Sequence, residues 1–167
     1  MSSAIPPSDP YEILVAGLGE LEIEAGEAAL VRLVELADLV ASWSRRFNLS
    51  AHRDPQAVCR RLILDAAALG QCLPQFDSLN DLGSGAGFPG VPLAILWPRR
   101  SVHLVEARER RYHFLRELVR SLELENVSVE RGRIEEIDPI PRAGAVAQAV
   151  GPPETVFGWM RRWAVQG

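Results

Sequence analysis

The sequence predicts an α/β fold in which a parallel sheet carries helices on both faces and follows a cap made of helices. Three observations carry this. Apolar residues recur at helical spacing through the first half, and beyond residue 77 short apolar strands alternate with helical stripes. A glycine-rich run stands where the first of those strands gives way to a helix.

Met1–Pro10 is rich in Pro and Ser and reads as loose, and residues 1–20 are assigned to a tail. From about Gly26 to Phe47, the apolar positions Leu30, Leu33, Val34, Ala37, Val40, Trp43 and Phe47 recur at three- and four-residue steps, which predicts one long amphipathic helix. Asn48–Arg53 is polar. Asp54-Pro55 then reads as an N-cap followed by Pro at the first helical position, opening a helix through Val58, Leu62, Ala66 and Leu69 that ends near Gly70 or Pro74. Residues 21–76 form the helical cap.

The remainder, 77–167, reads as a Rossmann-like core, one domain together with the cap. Ser78–Leu82 is a strand, and a helix from Pro89 to Leu96 is stopped by Pro98. Ser101–Val105 is a strand, and Arg110–Leu122 is a helix with Tyr112, Leu115, Leu118, Val119 and Leu122 on one face. Val127–Glu130 is a strand, Ile134–Ile137 a helical turn, and Ala145–Val150 the last strand. Pro152-Pro153 opens a final helix through Val156, Phe157, Met160 and Trp163. Trp43, Trp97, Trp159 and Trp163 all lie in or beside apolar helical stripes and read as core.

Composition excludes some chemistry. All 18 basic residues are Arg, so neither a Schiff-base lysine nor a P-loop lysine is present. No apolar run approaches the ~20 residues that span a bilayer, and the first ten residues lack the basic and apolar regions of a signal peptide. Cys59 and Cys72, far apart and without a His nearby, read as reduced core thiols of a cytoplasmic protein that holds no metal. The net charge of −4 conceals a division. Residues 1–44 carry eight acids against one base, Arg32, whereas the rest carries 14 acids and 17 arginines, many in pairs. Such clusters contact a polyanion or form solvated helix ends.

Asp81-Leu-Gly83-Ser-Gly85-Ala-Gly87-Phe88-Pro-Gly90 is the informative segment. Glycines at a strand–helix turn let the backbone bend tightly and approach a ligand, and the helix start offers free N–H groups. Glu106 ends the second strand 21 residues after Gly85, where a carboxylate takes both hydroxyls of a ribose. That pairing suits any adenosine-containing cofactor. A dinucleotide fingerprint wants a small residue where Phe88 stands, and Asp81 would place a negative charge beside a pyrophosphate. Beside the ammonium and sulfonium groups of S-adenosylmethionine the same charge is favourable. A glycine turn without a ligand is the alternative.

Phe47-Asn48-Leu49-Ser50, Arg61-Leu-Ile-Leu-Asp65, and the loop Asp81–Gly90 with its Phe-Pro-Gly ending resemble the ribosomal RNA small subunit methyltransferase G family, also called glucose-inhibited division protein B. Arg110-Arg111 with Phe114-Leu115-Arg116, Leu124–Val127 and Gly132–Glu136 continue the resemblance in order, over roughly residues 30–163. The resemblance implies a Rossmann-like class I S-adenosylmethionine-dependent methyltransferase in the cytoplasm. It would act on guanine N7 of 16S rRNA in the small ribosomal subunit; separately, a monomer with no membrane partner is expected. Carried over by position, Gly83 and Phe88 lie in the cofactor loop with Asp81, Gly85 and Gly87; Glu106 is the ribose acid, and Ile134 and Glu135 lie beside the adenine. Gln148 stands near the cofactor or the substrate, where the family has Arg. Leu62 replaces the family's His, and the family's terminal pair of strands is absent after Gly167.

Guanine N7 has a lone pair and no proton at neutral pH, so its methylation needs placement rather than a general base. His52, His103 and His113 match no triad or metal spacing, and no catalytic acid, base or nucleophile is assigned. Arg45, Arg46, Arg53, Arg60 and Arg61 are the candidates for RNA contact if the cap folds over the cofactor mouth. Three readings stay open: an rRNA guanine-N7 methyltransferase, a divergent relative that binds S-adenosylmethionine or RNA without efficient turnover, and a small-molecule methyltransferase.

Overall fold

The computed structural model describes residues 8–165. Helices α1 (Pro10–Glu20) and α2 (Glu27–Arg46) come first. A short α3 (Pro55–Val58) then runs through a π-turn (Cys59–Ile63) into α4 (Leu64–Cys72). The order continues β1 (Ser78–Leu82), α5 (Gly90–Leu96), β2 (Ser101–Glu106), α6 (Glu109–Ser121), β3 (Val127–Arg131), β4 (Gly144–Ala147) and α7 (Pro153–Trp163). The four strands form a wholly parallel sheet in the order β3-β2-β1-β4.

Alternate strand residues feed two different cores, as the period of two requires. Leu79, Val102 and Leu104 join α5, α6 and the cap helices in one large apolar cluster. Leu82 and Val105 face the other way, onto Ile134 and the fully buried Trp163 of α7. Asn80, buried on that second face, donates to the carbonyls of Ile140 and Trp163 at 2.8 and 2.7 Å, tying α7's end to the sheet centre. His103 lies beside it, stacked on Trp163 and bonded to Ser128 and Glu130. Burial, helped by the Arg142 charge, lowers its pKa against the opposing pull of Glu130.

The structure corrects the sequence reading in four places. Pro10–Glu20 is a helix, not part of a loose tail: the Asp9 side chain accepts the N–H groups of Tyr11 and Glu12, Pro10 stands at the first position, and Ile13, Leu14 and Leu18 are buried. Most of Met1–Pro10 lies outside the described residues. The second cap helix is not uniform, because Leu64 N–H reaches back five residues to the Cys59 carbonyl. That extra residue rotates the stripe, so Ile63 is buried where Leu62 is only half-buried. β4 ends at Ala147 rather than Val150, because β1 offers its last partner, Leu82, there. Cys59 is buried, and burial pushes its thiol up to about 12; Cys72, at the end of α4, is exposed rather than core. Both are free. Among the described residues no helix is long and apolar enough to cross a membrane, and no cluster of acid, His and Cys side chains could hold a metal.

Candidate active site

The carboxyl ends of parallel strands are where crossover connections leave a crevice, and the sheet places β1 and β2 side by side at its centre. Leu82 pairs with Val105, so the glycine loop leaves β1 level with Glu106 at the end of β2. The Gly83 and Ser84 N–H groups both donate to the Val105 carbonyl, at 2.8 and 3.0 Å, fastening the loop to its neighbour strand. Gly83, Gly85 and Gly87 have φ of 75°, 58° and 93°. A Cβ at Gly83 would stand 2.8 Å from Val150, and one at Gly87 2.9 Å from Val91. These two positions admit no larger residue without movement, for reasons of both conformation and space.

Glu106 is almost wholly buried, and its carboxylate is fixed from both sides. Oε2 accepts the Gly85 N–H at 2.9 Å and Oε1 accepts the Arg108 N–H at 2.7 Å. Two carboxylate oxygens have about four acceptor positions, so room remains for two more donors. Around Glu106 runs a cleft of about 250 Å³ whose lining includes Gly83, Ile134, Glu135, Val150, Arg111 and Trp159. Four residues singled out in the sequence, Gly83, Glu106, Ile134 and Glu135, thus meet in one crevice, and Gly85 is bonded to it.

Others stand elsewhere. Asp81, expected to set its charge beside a cationic ligand, is fully buried: Oδ2 accepts the Gly90 N–H at 2.9 Å while Oδ1 has no partner. Burial pushes its carboxyl up to about 7 although the Gly90 bond pulls the other way, so at neutral pH it is only partly charged. Its place is behind the loop, holding the start of α5. Phe88 packs into the large core, and Gly87 sits against Val91, Leu115 and Leu118. Gln148 is exposed and does not line the cleft; the neighbouring Ala149, at φ 53°, and Val150 do. Arg45, Arg46, Arg53, Arg60 and Arg61 are all exposed, and none lines the cleft. Arg45 does donate to the Arg53 carbonyl at 2.9 Å, joining the end of α2 to the loop before α3.

Sequence reasoning missed Arg108, Arg111 and Trp159. Arg108 stood out only as part of an arginine cluster, Arg111 in that cluster and in a resembling segment but with no site role, and Trp159 only as part of an apolar stripe. Arg111 reaches over the glycine loop, its Nη1 3.8 Å from where a Cβ on Gly85 would stand. Neither a His–acid nor a Cys-based dyad lines the cleft, whose ionisable side chains are Glu106, Glu135, Arg108, Arg111 and Arg133.

A profile of the rRNA small subunit methyltransferase G (GidB) family matches residues 29–167. The chain is 38% identical over 148 residues to ribosomal RNA small subunit methyltransferase G of Halorhodospira halophila, covering 89% of this chain and 70% of that protein. To the protein of that name from Kineococcus radiotolerans it is 36% identical over 168 aligned residues, covering 99% and 65%. The chain thus spans roughly two thirds of the length of these relatives. Among solved structures, a SAM-dependent methyltransferase from Aquifex aeolicus superposes with a TM-score of 0.53 at 18% identity, over 74% of this chain and 66% of that one. The fold is therefore that of the class I methyltransferases.

Proposed function

The chain belongs to the rRNA small subunit methyltransferase G family, and on that premise we propose that it transfers a methyl group from S-adenosylmethionine to guanine N7 of 16S rRNA in the small ribosomal subunit. The observation that carries the reading is the fixed Glu106 carboxylate at the foot of a cleft walled by the glycine loop. The residues present fit the cofactor. Glu106 has acceptor positions left for the two ribose hydroxyls, buried Ile134 gives an adenine an apolar wall, and Gly83 lines the cleft without a side chain of its own. Asp81 acts one step back, as a positioning residue that holds Gly90 and so the curve of the loop.

The bound cofactor supplies an electrophilic methyl group on a sulfonium. The protein then has to hold the guanine so that the N7 lone pair lies in line with that group, and to exclude water. No proton leaves N7, so neither cleft carboxylate, Glu106 or Glu135, is needed as a general base. Arg111, over the glycine loop, and Arg108 supply positive charge where a phosphate-bearing substrate approaches. Localisation in the cytoplasm and action as a monomer belong to the same reading.

Two measurements test it. Calorimetry with S-adenosylmethionine should show one site, abolished or strongly weakened by Glu106→Ala. Methyl transfer should then be followed to unmethylated 30S subunits, to protein-free 16S rRNA and to small metabolites. Label in the 30S subunit or the rRNA is the expected outcome. Cofactor binding with no transfer to either would identify a divergent binder, and label only in metabolites would identify a small-molecule enzyme.

A further inference from the structure

A second cleft, of about 540 Å³, adjoins the first and shares Arg108 and Arg111 with it. It lies between the end of α2 and the start of α6, and its floor is aromatic. Trp43 packs against Phe47 with ring centroids 5.6 Å apart and against the buried Phe114 at 5.2 Å. Phe47 itself is 44% exposed and lines the cleft. The Arg110 guanidinium stands 5.9 Å from the Phe47 ring centroid. Among the described residues Arg108, Arg110 and Arg111 make no ion pair, whereas Glu109, the acid on this rim, is engaged by Arg131 at 3.3 Å and His113 at 3.8 Å.

An exposed aromatic face backed by a rigid ring and rimmed by unpaired guanidinium groups has the chemistry that takes one unstacked nucleobase with its phosphate. The rim charge selects a polyanion, and the arginine beside the ring adds a cation to the stack. Resting on the rRNA reading above, we propose that this second cleft holds the base of a nucleotide flanking the methylated guanine, stacked on Phe47 beside Arg110. The shared Arg108 and Arg111 then grip the phosphates between the two clefts. Docking the neighbour fixes the register of the strand, so the guanine arrives at the first cleft already positioned.

The test uses a short hairpin RNA whose loop carries a guanine next to 2-aminopurine, a base whose fluorescence is quenched on stacking. Wild-type protein should bind it, by anisotropy, and quench the 2-aminopurine. Phe47→Ala should abolish the quench and loosen RNA binding by roughly tenfold, whereas Phe47→Tyr retains both. Arg110→Ala should weaken binding and reduce its salt dependence. Circular dichroism and calorimetry with S-adenosylmethionine run beside each variant, and both should match wild type because Phe47 and Arg110 lie outside the cofactor cleft. Equal quench and affinity in wild type and Phe47→Ala would overturn the proposal and leave the rRNA reading intact. No binding of the hairpin by wild type, with cofactor binding preserved, would overturn the proposal, while methyl transfer to 30S subunits decides the rRNA reading separately. Weakened binding of Phe47→Ala to whole 30S subunits but not to protein-free RNA would assign the cleft to a ribosomal protein, and would likewise overturn it.

Discussion

The two clefts that share Arg108 and Arg111 are built on different principles. The smaller is framed by backbone: Gly83 at positive φ, two N–H groups that hold Glu106, and a strand end fixed by sheet register. The larger is made of side chains, an aromatic floor from α2 and α6 under a rim of flexible arginines. A backbone-built site can hold one ligand in one geometry and tolerates little change. A side-chain-built site is adaptable and loses affinity by increments. Variants on the two sides should therefore fail in different ways.

The largest effect is expected at Glu106. Alanine there removes the carboxylate proposed to take the ribose hydroxyls and frees two N–H groups, each bond to a charged group being worth ~1.5–3 kcal/mol. Cofactor affinity should fall by roughly 100-fold or more by calorimetry, while affinity for a protein-free loop RNA stays within about threefold. Equal loss of both ligands would mean that the clefts are not separable.

The glycine loop gives the next effect, and a graded one. Gly83→Ala meets both positive φ and Val150, whereas Gly85→Ala meets positive φ with nothing closer than 3.8 Å. Gly85→Ala should cost about 1–2 kcal/mol in urea unfolding and Gly83→Ala distinctly more. The reverse order would contradict the account of the loop.

Asp81 separates the loop's support from its surface. Its carboxyl is raised from 3.8 to about 7, so the folded chain keeps a proton that the unfolded chain releases above about pH 4. The stability linked to this group is fully present below pH 3.8 and is lost as pH rises through 7. Asp81→Asn should flatten the decline in unfolding midpoint between pH 4 and 7. His103, lowered from 6.5, acts in the opposite sense, its contribution being lost as pH falls below that value. It is present in both proteins, so their difference isolates Asp81. Identical pH profiles would show that Asp81 is charged when folded.

The smallest effect belongs to Gln148, exposed beside the cleft residue Ala149. Gln148→Arg should tighten RNA binding or speed methyl transfer by a few-fold, with a steeper salt dependence, because one cation neutralises about one phosphate. No gain in either would show that the position does not meet the substrate.

Most elements of the fold were legible because each had a strong local signal. The alternation after residue 77 produced four strands within a few residues of their observed limits, and Asp54-Pro55 marked a real helix start. The same Asp-Pro signal stands at Asp9-Pro10 and opens α1; it was overlooked because neighbouring Pro and Ser residues read as a tail. The π-turn was invisible, since one extra residue in a hydrogen-bonded ring leaves no mark in apolar spacing. In the site, Gly83, Glu106, Ile134 and Glu135 were placed together by pattern and resemblance. Phe88 and Asp81 were read as ligand-facing from chain position, yet strand alternation and packing turn their side chains inward. The second cleft joins residues more than 60 apart, Trp43 with Arg110, and only the folded chain shows that.

The central claim, a methyl-transfer site that positions guanine N7, is tested most directly by mass spectrometry of the nucleosides in 16S rRNA. The rRNA is taken from unmethylated 30S subunits incubated with the protein and S-adenosylmethionine. New N7-methylguanosine approaching one per rRNA is expected with wild type, and essentially none with Glu106→Ala. Methylation of another base or atom, or no methylation by a protein that calorimetry shows to be cofactor-bound, would contradict it.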